Sequence, residues 1–424
     1  MSEQFCQKTT LPNGLRILTA PMPQTRSVTL SIYVGAGSRY EEAPKAGLSH
    51  FVEHLCFKGT ERRPTAREIS EAIDSVGGVL NGGTDRELTV YYCKVARPHF
   101  DLALDVLTDM LRRPLFQPEE VEKERKVVIE ELAMVADSPA QQVDILIDEI
   151  LWPEQPLGRD VAGSEETVNA ISRQDALDYL HRQYVPNNMV VSVAGSITHE
   201  EVVRAVDAAM GDWPAGVPLG WYAAVPANGA RPLAVKYRRT EQAHLSLAAR
   251  GPSSRDSDRH AADLLSVVLG EGMSSRLFQE LREKRGLCYD VHSYTSHFQD
   301  TGAFTVYAGV DPKNAVSAVG AILEELARLR DGVPEEELHK ARELTKGRML
   351  LRLEDTRNVS GWLGAHELLL GSVKTPDEAV EDLERVTTDD LRRVAGRLLG
   401  NGGLRLAVVG PFRSDRRFAP LLGG

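Results

Sequence analysis

Thr89-Val90-Tyr91, a strand signal followed by a helix rich in Ala, Leu and Val, recurs as Thr305-Val306-Tyr307 with a second such helix behind it. The offset is 216 residues, and it holds without a gap to Phe116-Gln117-Pro118-Glu119-Glu120, which meets Gly332-Val333-Pro334-Glu335-Glu336. Both runs read as helix starts, because proline needs no N–H partner in the first turn and acids there favour the helix dipole. Farther on, Asn188-Met189-Val190-Val191-Ser192-Val193-Ala194-Gly195 is similar to Gly403-Leu404-Arg405-Leu406-Ala407-Val408-Val409-Gly410, a short apolar strand closed by glycine, at an offset of 215. One unit is therefore written twice. The stretch from Gly211 to Pro232, with Pro214, Pro218 and Pro226 and little periodicity, separates the copies. The division expected is 1–212, a linker over 213–232, and 233–424.

Within the first copy, Val28, Leu30, Ile32 and Val34 alternate with Thr29, Ser31 and Tyr33, the pattern of a strand with one buried face. Helices are expected over 45–58, 66–76, 98–112 and 117–136, and strands over 88–95 and 189–194. Strands and helices come in blocks without strict alternation. That predicts an α+β fold of two homologous domains, each a mostly antiparallel sheet with helices packed on one face.

Composition sets outer bounds. The 424 residues exceed one ordinary core, and 42% hydrophobic with 26% charged residues is a globular balance. No apolar run reaches 18 residues, so no membrane span is expected. A net charge of −11 disfavours nucleic acid and leans toward cationic ligands such as basic peptides. Cys6, Cys56, Cys93 and Cys288 have neither disulfide nor zinc-knuckle spacing. The segment from Met1 to Lys8 resembles neither a secretory signal nor a transit peptide, so a cytoplasmic location is expected.

The chemistry is concentrated in His50-Phe51-Val52-Glu53-His54. On a helix, imidazoles at i and i+4 share a face and can reach one cation, with Glu53 beside them to move a proton. At about 100° per residue, Leu48, Phe51, Val52 and Leu55 form an apolar stripe, and His50, Glu53 and His54 gather on the other side. A catalytic zinc needs a third protein ligand, and the 117–136 helix offers Glu124, Glu130 and Glu131. Val121, Val128, Leu132 and Val135 mark its apolar stripe; Glu130 points away from it, whereas Glu124 and Glu131 flank it on one side. Two carboxylates beside an apolar stripe require compensation, and a cation would supply it. The second copy is an internal control: offset 216 places Lys340 at Glu124 and Gly347 at Glu131, and no H-x-x-E-H occurs there. Nearby, Gly270-Glu271-Gly272-Met273-Ser274-Ser275 lacks the ending of a phosphate loop and reads as a plain loop.

The run from Gly47 to Thr60, the later Glu124-Arg125-Lys126-Val127-Val128-Ile129-Glu130-Glu131 and the duplication together resemble the pitrilysin/insulinase family of inverted-motif zinc peptidases, in its processing-peptidase-like branch. The resemblance implies His50, His54 and Glu131 as ligands of one zinc per chain, Glu53 as the base and Glu124 as a supporting carboxylate. It also implies that Asn81 and Gly82 belong to an edge strand that takes substrate by β-augmentation. Alanine is frequent in the family where Gly82 stands, and a plain hairpin turn is the competing reading of Asn81-Gly82-Gly83. In the second copy, Arg282 and Tyr289 resemble the family's substrate clamp, Arg282 for a carbonyl and Tyr289 for the oxyanion. Supplied from a partner chain, that clamp makes a homodimer necessary.

The expected function is that of a zinc metalloendopeptidase of the inverzincin type, cleaving unfolded peptides or presequence-like segments inside a dimeric chamber. Two rivals remain: an inactive structural or partner subunit of the same fold, and a zinc hydrolase acting on a non-peptide amide. His, His and Glu also tolerate manganese or cobalt.

Overall fold

A computed structural model describes residues 5–226, 231–400 and 403–422. Residues 227–230 of the expected linker lie outside them. In the first half the elements are β1 (Gln7–Thr10), β2 (Arg16–Pro21), β3 (Ser27–Val34), α1 (Leu48–Cys56), α2 (Ala66–Asp74), β4 (Val79–Thr84) and β5 (Thr89–Ala96). There follow α3 (Phe100–Arg112), α4 (Pro118–Asp137), α5 (Pro139–Leu151), α6 (Glu165–Ala170), α7 (Arg173–Gln183), β6 (Met189–Gly195) and α8 (His199–Met210). The second half runs β7 (Leu233–Tyr237), β8 (Ala243–Gly251), α9 (Arg259–Gly270), β9 (Cys288–His297), β10 (Gly302–Val310), α10 (Ala315–Asp331) and α11 (Glu335–Arg352). It ends with α12 (Thr356–Leu370), α13 (Pro376–Glu384), α14 (Thr388–Leu398) and β11 (Arg405–Gly410).

The two sheets repeat one topology. The first has the order β1-β2-β6-β3-β5-β4 and the second β7-β11-β8-β10-β9. Only β2–β6 and β11–β7 pair in parallel; the other neighbours are antiparallel. The α+β class with two homologous, mostly antiparallel sheets is thus realised. β4 and β9 hold the same place at one edge of their sheets.

Each sheet carries helices of its own half on one face, as expected, but the opposite face is also covered. The strand expected to have a single buried face, β3, is buried from Val28 to Val34. Val28, Leu30, Ile32 and Val34 face the core built with Phe51, Val52 and Leu107, while Thr29, Ser31 and Tyr33 lie under α12. Thr29 Oγ1 meets Thr356 Oγ1 at 2.8 Å, and Ser360 Oγ donates to Ser31 Oγ at 2.8 Å. Gly364 lies against the Tyr33 ring. Four helical residues rise about 6 Å and two strand residues about 6.8 Å, so 356, 360 and 364 keep step with 29, 31 and 33. In the second sheet the counterpart is α5, whose Val143, Ile147 and Leu151 pack on Ala248, Ala407 and Val409.

The compact units consequently differ from the contiguous division at 213–232. One comprises residues up to 132, 160–222 and 350–375, and the other 133–159, 223–349 and 376 onward. The linker does separate the two sheets, but each half of the chain sends one helix to the other half's sheet. No helix among the described residues is long and apolar enough to cross a membrane.

A Cβ at position 364 would stand 2.2 Å from Tyr33 Cδ2. Gly364→Ala should therefore lower stability by about 1–3 kcal/mol in urea unfolding. Gly347→Ala, at an exposed helical glycine with no atom within 4 Å of the added Cβ, should raise it by about 0.5–1 kcal/mol. Equal unfolding midpoints for the two variants would contradict this account of α12.

Candidate metal centre

Helix α1 starts at Gly47, whose φ of 93° suits glycine and whose absent Cβ would fall 2.4 Å from the Ala162 carbonyl oxygen. The backbone N–H groups of Gly47 and Ser49 donate to the buried Glu41 carboxylate at 2.8 and 2.6 Å, which satisfies helix-terminal donors. Phe51, Val52, Leu55 and Cys56 are fully buried in the core, so the helix has a single rotation available. That rotation turns His50 and His54 toward α4 and Glu53 toward β4. Cys56 is a packing residue in that core.

From α4, Glu131 comes between the two imidazoles. Its Oε2 lies 3.8 Å from His50 Nε2 and 3.6 Å from His54 Nε2. Ligand atoms of the three residues lie within 4.8 Å of one another, and this is the metal-capable group of three found among the described residues. Zinc bonds of about 2.0–2.2 Å at tetrahedral angles would set ligand atoms about 3.4 Å apart, so the donor set fits a zinc ion after small adjustment. Glu130 is exposed on the far side of the helix, and the apolar stripe is buried at Val121 and Val128 but only half-buried at Leu132 and Val135.

Glu124 is buried and serves both neighbours: His54 Nδ1 is 3.1 Å from its Oε2, and Lys58 Nζ is 2.6 Å from its Oε1. Burial acts to raise its pKa, but the hydrogen bonds from His54 and Lys58 and their charges bring it below the ordinary value. An ionised Glu124 accepts from Nδ1–H and so leaves His54 Nε2 as the lone-pair nitrogen facing Glu131. Burial acts to lower the His54 pKa, yet Glu124, Glu131 and Glu53 outweigh it and raise it. Burial, followed by the charge of His54, pushes the His50 pKa down to about 4, which favours its neutral form. The buried Nδ1 of His50 finds no hydrogen-bond partner among the described residues.

Glu53 is 8% exposed, and burial raises its pKa. Thr84 Oγ1 donates to its Oε2 at 2.6 Å. Asn81 and Gly82 stand within β4, opposite Tyr92 and Tyr91, and not in a hairpin turn; the turn is closed later by Asp85 N–H donating to the Leu88 carbonyl.

In the other unit, Arg282 lies in a π-helical turn, Phe278–Lys284, with its guanidinium 4.7 Å from the Phe278 ring centroid and 4.9 Å from that of Tyr289. Pairing of β9 with β10 shifts register there: Gly309 faces Asp290 and Val310 faces Cys288. Tyr289 is the extra residue of this bulge and is 76% exposed. A cavity of about 390 Å³ adjoins the pair, lined also by Gln242, Asp290 and Tyr307.

Residues 16–165 match the model described as Insulinase (Peptidase family M16), and residues 170–345 match the Peptidase M16 inactive domain. The chain belongs to peptidase family M16. Within that family it is 40% identical over 422 residues to an uncharacterized zinc protease of Streptomyces coelicolor, covering 97% of this chain and 90% of the relative. It is 38% identical to one of Bacillus subtilis, covering 95% and 97%. The fold is shared with a protease from Helicobacter pylori at a TM-score of 0.90 and 24% identity, covering 96% of this chain and 99% of that one. An M16 inactive domain from Pseudomonas fluorescens gives 0.89 at 17% identity, covering 96% and 98%.

Two side chains at the site were not singled out from sequence. Lys58 follows His54 by four residues and meets Glu124; Thr84 follows Gly82 by two, on the same face of β4. Helical and strand periodicity could have flagged both, but the partner of each lies on another element.

A zinc ion held by this group would have to displace the proton that His54 holds. Because the His54 pKa is raised, affinity should begin to fall at a pH above the ordinary 6.5, by about tenfold per unit below that point. Glu124→Ala should lower zinc affinity about 10–100-fold and move this onset to lower pH, as read by chelator competition. An unchanged affinity and onset would remove Glu124 from the site.

Proposed function

We propose that this protein is a zinc-dependent endopeptidase of the cytoplasm that cleaves unfolded peptides or presequence-like segments in a chamber formed by a homodimer. The observation that carries the reading is the convergence of His50, His54 and Glu131 within 4.8 Å, with Glu53 on the same helix and against an edge strand. The M16 membership and the zinc-protease names of the relatives support it. An inactive partner subunit would be free to lose the ligand set or the Arg282–Tyr289 pair, and this chain keeps both.

His50, His54 and Glu131 would hold the zinc, one per chain, with Glu124 orienting His54. Bound zinc supplies Lewis acidity, activating a water and polarising the scissile carbonyl. The free edge of β4 aligns the substrate as an added strand, and Asn81 and Gly82 present little bulk to it. Glu53 takes the proton from the attacking water at its carboxylate and passes it to the leaving amine. Its burial, which raises its proton affinity, suits both halves of that transfer. Arg282 of a second copy holds a substrate carbonyl, and Tyr289 donates its hydroxyl hydrogen to the oxyanion. The charge of −11 favours basic peptides.

Glu53→Gln should bind zinc at one ion per chain and lose peptide cleavage; wild-type cleavage by that variant would remove Glu53 as base. Mixing Glu53→Gln with Tyr289→Phe chains should restore about one quarter of wild-type activity, since half the dimers are mixed and each mixed dimer rebuilds one intact site. No recovery after verified subunit exchange would sink the shared-site dimer.

A further inference from the structure

On β4, Leu80, Gly82 and Thr84 share the face turned to α1. Leu80 packs on the core, Gly82 brings a bare Cα beside Glu53, and Thr84 reaches the Glu53 carboxylate. A Cβ at position 82 would lie 3.2 Å from Glu53 Oε1 and 3.1 Å from Phe57 Cε2, so the glycine allows the carboxylate and the ring to sit close to the strand. The Thr84 hydroxyl donates to Oε2 and lies 3.2 Å from Thr89 Oγ1 on β5, and Thr89 Oγ1 is in turn 3.3 Å from the Ala36 carbonyl oxygen. The carboxylate is thereby anchored by one oxygen to a β4–β5 pair, and among the described residues no hydrogen bond reaches Oε1.

We infer that Thr84 is a positioning residue for Glu53, so that the strand proposed to align the substrate also fixes the atom that takes the proton. The inference rests on the reading of Glu53 as base. A carboxylate on a three-torsion side chain would otherwise sample several rotamers, and a displacement of about 1 Å at a proton-transfer distance is enough to cost about 100-fold in rate. Threonine at 84 suppresses that freedom through a donor that favours the ionised carboxylate. It does so from a strand that, among the described residues, is paired on one side only, by β5. Substrate added to the free edge of β4 would stiffen the same support.

The test uses the zinc-loaded full chain and an unfolded basic peptide. Thr84→Val removes the hydroxyl while keeping shape and strand propensity, and Thr84→Ser restores it. Thr89→Val removes the neighbouring hydroxyl without touching Glu53. The expected result for Thr84→Val is a kcat lower by about 10–100-fold with KM, zinc content and melting temperature near wild type. Thr84→Ser should recover most of kcat, and Thr89→Val, which loosens the support of Thr84 but leaves its donor to Glu53, should lose less than Thr84→Val. Wild-type kcat in Thr84→Val, no recovery in Thr84→Ser, or an equal loss in Thr89→Val would each overturn the inference. If Glu53→Gln is inactive while Thr84→Val is fully active, the base stands and only its positioning by Thr84 fails. If Glu53→Gln is active, the base reading itself fails.

Discussion

The rotation of helix α1 is the constraint on which the site depends. Phe51, Val52, Leu55 and Cys56 are fully buried, and turning the helix to expose them would cost about 1.5–3 kcal/mol for each large side chain. With that face committed, His50 and His54 have one direction left, toward α4, and Glu53 has another, toward β4. His50, His54 and the proposed base Glu53 are therefore held on one helix but face different supports. Arg125 of α4 reinforces the docking: its guanidinium lies 5.4 Å over the Phe51 ring, and it also donates to the Val168 carbonyl and pairs with Glu122.

Electrostatics then sets how the site can be filled. Glu53, Glu124 and Glu131 crowd two imidazoles, and the burial of Glu53 and Glu124 adds a desolvation cost to the mutual repulsion. Lys58 offsets one of the three charges by pairing with Glu124, and Thr84 satisfies one oxygen of Glu53. Glu131 has no comparable anchor among the described residues; it is 41% exposed and lies beside the two histidines. A divalent cation between Glu131 and two neutral imidazoles relieves what the protein's own side chains leave uncompensated. The second half has Lys340 and Gly347 at the matching positions and builds a sheet of matching strand order.

Much of this is legible in the sequence, and the exceptions have physical causes. Strands and helices with strong periodicity, such as β3, β5, α3 and α4, fall within a few residues of where apolar spacing puts them, because burial on one element dictates that spacing. The convergence of His50, His54 and Glu131 follows from phase on two helices. What periodicity cannot tell is which surface a buried face meets. Val143, Ile147 and Leu151 announce a packed helix without revealing that it covers the other half's sheet, and Thr356, Ser360 and Gly364 look like an ordinary polar helix face until Thr29, Ser31 and Tyr33 are set beneath them. The exposure of Tyr289 depends on a one-residue bulge against Gly309 and Val310, a pairing detail no single strand carries. Lys58 and Thr84 escaped notice because each acts through a partner distant in the chain.

The most direct measurement is X-ray absorption at the zinc edge of the loaded protein. The account predicts one zinc per chain with two imidazole nitrogens and oxygen ligands at about 2.0–2.2 Å, and a reduced histidine and oxygen signal when His54 and Glu131 are replaced. Sulfur scattering at about 2.3 Å, or a spectrum unchanged by those replacements, would contradict it.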